Sequence, residues 1–164
     1  MKTNLLYCLF LINSFVVSAQ ITTTRMNEFK IEMSSNDVLK LMGNKPAAIA
    51  DDTEFKVKQK GIEYTVYVGK GYLSGEEDIS YLKSISTTSK AIKTISGLGV
   101  GNSLEDLWKA YSDKYTVYVN KATENTREFT IEDEENGTRL TFYLKKEIVI
   151  KIEINSYNPE ECFL

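Results

Sequence analysis

The sequence predicts an α+β protein of two tandem helix-plus-antiparallel-strand repeats, with both helices packed on one face of an antiparallel sheet. Three observations predict it. Two short amphipathic segments each follow a serine suited to cap a helix, Ser34 and Ser103. Each segment is followed by runs that alternate apolar and polar residues, the period of a half-buried strand. A single offset of 69 residues lays Ser34, Asp37 and Lys40 on Ser103, Asp106 and Lys109, and Ile79, Tyr81 and Ile85 on Ile148, Ile150 and Ile154. Repetition of this kind marks one supersecondary unit used twice.

In chain order, residues 1–19 read as a cleavable export signal. Lys2 supplies the charge, Leu5 to Val17 the apolar run, and Val17-Ser18-Ala19 the small-residue end. Asn13 and Ser14 break the run, which is too short for a stable bilayer span, so no stable membrane insertion is expected after cleavage. Cys8 lies within the run behind Tyr7, without the small residue that a lipidation signal places before its cysteine. The remaining 145 residues hold one cysteine, Cys162, and therefore no internal disulfide. Such a chain fits the periplasm or the exterior. Its two repeats are bounded at residues 20–90 and 91–164 and share one compact unit.

The first helix, Ser35 to Met42, stops at Gly43 with Pro46 beyond it. Strands follow at Phe55–Lys58, Ile62–Val68 and Ile79–Ile85, with Lys60-Gly61 as a turn. Gly97, Gly99 and Gly101 lead into the second helix, 104–111, where Ser103 and Asp106 form a variant of the capping box. Their G-x-G-x-G spacing fits neither a dinucleotide turn nor a P-loop, so they read as turn glycines. Leu104, Leu107, Trp108 and Tyr111 share the face to be buried.

Four strands close the chain at Tyr115–Val119, Arg127–Ile131, Arg139–Leu144 and Ile148–Ile154, with Asn136-Gly137 as a type I′ hairpin pair. Alternation turns Tyr115, Val117, Val119, Phe129, Ile131, Leu140, Phe142, Leu144 and the isoleucines 148, 150, 152 and 154 toward the helices. The opposite face then carries Tyr67, Tyr118, Thr130, Thr141, Tyr143, Val149, Lys151 and Glu153.

Composition excludes more than it selects. The chain has no histidine, which removes Ser-His-Asp and Cys-His nucleophile arrangements and the usual zinc sets. A formal net charge of −3, moving to −4 when Lys2 leaves with the signal, and no basic block argue against nucleic acid as a partner. Glu132 to Gly137 resembles the start of a calcium loop, but the twelfth position is Tyr143 instead of a glutamate. No catalytic residue, cofactor or metal site is assigned. What stands out is the open sheet face, since tyrosine anchors interfaces by burying area at little rotamer cost. Tyr67, Tyr118, Tyr143, Thr141 and Lys151 are therefore the expected protein-binding residues. The expected function is an exported protein-binding module that is not an enzyme. A carboxylate-based periplasmic or secreted enzyme and a passive envelope scaffold are the alternatives.

Two stretches carry a family resemblance: Phe29-Lys30-Ile31-Glu32-Met33-Ser34-Ser35-Asn36-Asp37-Val38, and Leu98-Gly99-Val100-Gly101-Asn102-Ser103-Leu104-Glu105-Asp106-Leu107. With the strands after them, they resemble the unit found in β-lactamase-inhibitory-protein-like and SmpA/OmlA-type envelope proteins. The resemblance implies helices on one face of an antiparallel sheet, and proteins that bind other proteins. The chain departs from it in lacking the disulfides of the inhibitory proteins and the lipidation cysteine of the SmpA/OmlA type. No particular partner carries over.

Overall fold

Alternating strands account for most of this molecule. The computed structural model describes residues 20–43, 49, 52–70 and 80–157. The signal segment 1–19, Pro46, Ile79 and Cys162 lie outside the described residues. The elements run β1 (Gln20–Ile21), β2 (Arg25–Met26), β3 (Phe29–Lys30), α1 (Ser35–Met42), β4 (Thr53–Gln59), β5 (Ile62–Lys70) and β6 (Ser80–Thr87). They continue β7 (Lys93–Thr94), α2 (Leu104–Tyr111), β8 (Val117–Lys121), β9 (Thr126–Asp133), β10 (Thr138–Lys145) and β11 (Ile148–Ser156). Seven strands form one antiparallel sheet in the order β4-β5-β6-β11-β10-β9-β8, and a second sheet has the order β3-β2-β1-β7.

This corrects the predicted class. Among the described residues the chain is mostly β, with 52% in strands and 13% in helix, and is not an α+β pair of tandem repeats with helices as the layer on a sheet. The physical reason is coverage. An eight-residue helix is about 12 Å long, whereas seven strands at ~4.8 Å spacing span about 29 Å. The second sheet supplies the rest of the layer: Ile21, Met26, Phe29, Ile31 and Ile92 are buried in the same core as the large sheet. Phe29 packs on Tyr64 of β5 at 5.4 Å between ring centroids. At the other side Tyr111 of α2 stacks on Phe142 at 6.1 Å and donates its hydroxyl to Thr94 of β7 at 2.7 Å.

The halves also differ in their parts. Phe29 lies in β3, while Leu98 and Val100, which the offset places on Phe29 and Ile31, lie in the loop before α2. Three long strands belong to the first half and four to the second. What they share is local: the chain just before each helix completes a ladder. Glu32 N–H donates to Leu82 O at 2.8 Å and Leu82 N–H to Met33 O at 2.9 Å; Gly101 N–H donates to Val149 O and Val149 N–H to Asn102 O, both at 2.9 Å. Between those latches β6 and β11 pair directly, with Ile85 opposite Ile154, so the halves share one sheet and one core.

One row shows the sorting of the two faces. Phe55, Val66, Ile85, Ile154, Leu140, Ile131 and Val117 are cross-strand neighbours through all seven strands on the core face. The next row, on the other face, reads Lys56, Thr65, Ser86, Glu153, Thr141, Thr130 and Tyr118.

The predicted inward set needs correction at its ends. Tyr143 opposes Lys151 but Leu144 opposes Val149, so Ile150 is an extra residue in β11. A bulge reverses the facing of everything beyond it. Val149 is therefore 1% exposed in the core, whereas Ile148 and Ile150 are 42% and 40% exposed. Tyr115 and Val119 are exposed as well, because α2 covers β9 and not the edge strand β8.

The turns also redistribute. Asn136-Gly137 is the end of a four-residue loop between Asp133 and Thr138, with only Gly137 at positive φ, and Asp133 closes it by accepting from Asn136 N–H at 3.1 Å. Two-residue loops with positive φ at both positions occur instead at Lys60-Gly61 and at Lys146-Glu147.

Candidate functional site

The polar face of the large sheet is where the predicted site residues lie. Tyr118, on β8, is 44% exposed. Tyr143, on β10, and Tyr67, on β5, are half-buried. All three tyrosines share one face, yet they do not form one cluster. Five strand spacings separate β5 from β8, which is about 24 Å, and Tyr67 donates its hydroxyl to Asp52 at 3.0 Å at its own end of the sheet. Tyr118 and Tyr143 do come together, at a shallow depression of about 390 Å³ across β8 to β11.

Thr130 and Thr141 form the floor of that depression. Both are buried, with hydroxyls 3.2 Å apart across β9 and β10. Thr141, one of the predicted binding residues, is 7% exposed and belongs to this floor. Lys151, also predicted, has its Nζ 4.0 Å above the Tyr143 ring and donates to Glu153 at 2.6 Å. Arg139 Nε donates to Glu132 at 2.7 Å, and its guanidinium stands 4.0 Å from the centroid of the Tyr157 ring.

These pairs shape the electrostatics. Tyr143 is pushed above its ordinary phenol value, first by loss of solvent and then by the negative charge of Glu153 and Glu128. The Tyr118 hydroxyl is pushed up chiefly by the Glu132 charge, next by desolvation. The carboxylates of Glu128, Glu132 and Glu153 face two cations, Arg139 and Lys151, so one carboxylate is in excess. The depression is therefore acidic, with one exposed aromatic ring at its rim.

Glu128, Arg139 and Asn155 were missed by the sequence reading, and Glu132 was considered only as a calcium-loop residue. Alternation alone could have found them, since Glu128 and Glu132 flank the buried run Phe129–Ile131 and Arg139 precedes buried Leu140.

The other motifs resolve structurally. The glycine loop uses its own amides: Gly97 N–H bonds Thr94 O, Leu98 N–H bonds Thr94 Oγ1, and Gly99 N–H bonds Asn102 Oδ1. The Lys93 ammonium closes the loop onto Val100 O and Asn102 Oδ1, both at 3.2 Å. No fan of free amides is left there to cradle an anion. Asp133, from the calcium-like stretch, accepts from Asn136 and from Thr23 at 2.6 Å, which ties the second sheet to the β9–β10 loop. A larger depression of about 650 Å³ lies under the tips of the β8–β9 and β10–β11 hairpins, and none of the predicted site residues lines it.

Compared with known proteins, the chain matches no family model, no curated protein and no solved structure. Among the described residues no helix is long and apolar enough to cross a membrane.

Proposed function

We propose that the chain is an exported, non-catalytic protein-binding module of the cell envelope or exterior, and that it holds its partner at the β8–β11 depression. The observation that carries this reading is the lining: Glu132 and Glu153 are paired with Arg139 and Lys151, while Glu128 has no ion pair among the described residues and lies near the exposed Tyr118 ring. That combination suits a partner segment presenting an arginine or lysine, which gains from the acidic field and from the face of the ring. Glu132 and Glu153 serve as counter-ions to Arg139 and Lys151, which keeps the floor rigid.

The test is capture from envelope extract on the immobilised chain from Gln20 onward, beside Tyr118→Ala, Glu128→Lys and Tyr67→Ala variants. A partner retained by the parent and by Tyr67→Ala, lost by the other two, and weakened by added salt supports the reading. Equal retention on all four discards it.

A further inference from the structure

The two ends of the large sheet are not alike. At one end β4 exposes Glu54, Lys56 and Lys58, a row of charges that keeps another strand from adding to it. At the other end β8 reads Val117-Tyr118-Val119-Asn120-Lys121, with no charge before its last residue. Four of the exposed large hydrophobic residues gather there: Trp108, Tyr115, Tyr118 and Val119. Val119 is on the core face, opposite buried Phe129, yet is 38% exposed.

We infer that this edge is closed by a second copy of the chain, β8 pairing antiparallel with its own symmetry mate about Tyr118. The backbone permits that register. Glu132 N–H donates to Thr116 O at 3.2 Å, so the even-numbered residues of β8 turn their N–H and C=O toward β9. Those of Val117 and Val119 therefore point outward. Centred on Tyr118, Val117 of each copy exchanges both hydrogen bonds with Val119 of the other.

The side chains agree with the same register. Valine meets valine on the core face, and the two Tyr118 rings meet across a close, non-hydrogen-bonded pair on the polar face. Thr116 meets Asn120, and Lys121 comes to Tyr115 of the mate. Two β9 strands would stand three strand spacings apart, about 14 Å, with the half-exposed Trp108 rings, each edge-on to Phe129 of its own β9 at 6.3 Å, on the core side of the seam.

The area suffices. Three aromatic residues of roughly 200 Å² each, half-exposed, offer about 300 Å² per copy. Two copies thus provide more than half of the ~1,000 Å² expected of a specific interface before the valines and the main chain are counted. The inference does not depend on the binding reading, although it would join the two depressions into one surface.

Sedimentation equilibrium of the chain from Gln20 onward tests it. A dimer is expected for the parent. Val119→Pro removes an outward N–H without touching the β9 ladder, and Val119→Lys puts a charge at the seam; both are expected to be monomeric with an unchanged circular dichroism spectrum. In a Cys162→Ser background, Tyr118→Cys should form an intermolecular disulfide on mild oxidation, because residue 118 meets itself, while Asn120→Cys should not. A parent that stays monomeric at its highest soluble concentration overturns the inference and leaves the edge to a different partner. So does a dimer that survives both Val119 variants, or cross-linking of Asn120→Cys in place of Tyr118→Cys.

Discussion

Lys151 Nζ sits 4.0 Å above the ring of Tyr143 and 2.6 Å from the Glu153 carboxylate, which binds the open face of β10 to that of β11. Charge, ring and ammonium neutralise one another in a place where Tyr143 is half out of water. Loss of solvent first, and then the negative charge of Glu153 and Glu128, keeps the proton on the phenol well past the ordinary value of about 10.

Tyr143 predicts an alkaline limit to stability. Its folded pKa is raised, so its contribution is fully present below pH ~10 and is lost as the pH rises above that value, where the unfolded chain ionises first. Glu153→Gln should lower the Tyr143 titration seen by ultraviolet absorbance and soften the alkaline loss. The pKa should stay above the ordinary phenol value, because desolvation is the larger cause. An unmoved titration would refute the assignment.

The β10–β11 turn predicts a gain. Lys146 and Glu147 adopt φ of 51° and 62°, a conformation that costs a side-chain-bearing residue roughly 1–2 kcal/mol. Lys146→Asn with Glu147→Gly should stabilise the protein by about 1 kcal/mol in urea unfolding. The lost Glu147–Arg127 pair, at 3.3 Å between exposed side chains, offsets little of this.

Gly99 predicts a loss. A Cβ there would lie 2.8 Å from the Ile92 carbonyl oxygen and 2.7 Å from Lys93 Cδ, and the carbonyl cannot swing away as a side chain can. Gly99→Ala should destabilise by about 1–3 kcal/mol. It should also release Lys93 from Asn102, readable as faster hydrogen exchange in the loop before α2.

The α2 cap predicts an acid dependence. Ser103 N–H donates to Asp106 at 2.9 Å while Asp106 N–H donates to Ser103 Oγ at 3.1 Å. The Ser103 backbone bond is the leading cause of Asp106's lowered pKa. That stabilisation is present above the unfolded value and disappears as the pH falls through the folded one. Asp106→Asn should flatten this acid-side loss, and Ser103→Ala should cost about 1 kcal/mol at neutral pH. Ser34→Ala at α1 is expected to cost a similar amount, since Asp37 N–H donates to Ser34 Oγ at 3.2 Å.

Much of the layout is legible in the residues because the signals are local. Alternation located all seven strands of the large sheet, from Phe55 to Ile154, and the two serine caps located both helices. Alternation also put Tyr67, Tyr118 and Tyr143 on one face. It failed at Val149 and Ile150, because a bulge leaves no mark in a run of β-branched residues that suit either side. Alternation marks Glu128 and Arg139 as polar-face residues too, but only the neighbouring strands bring them to one depression.

What the sequence by itself determined, then, is where strands, caps and turns begin and which residues alternate, since these depend on a residue's own backbone and its near neighbours. The tertiary structure alone decided the class. Two-residue strands such as β1 and β7 have no periodicity to read, and they exist because Gln20 and Lys93, 73 positions apart, find each other's main chain once the core has formed. Their sheet joins the two helices in covering the core, with Phe29 on Tyr64, because hydrogen bonds between distant segments form only where burial has already brought them together.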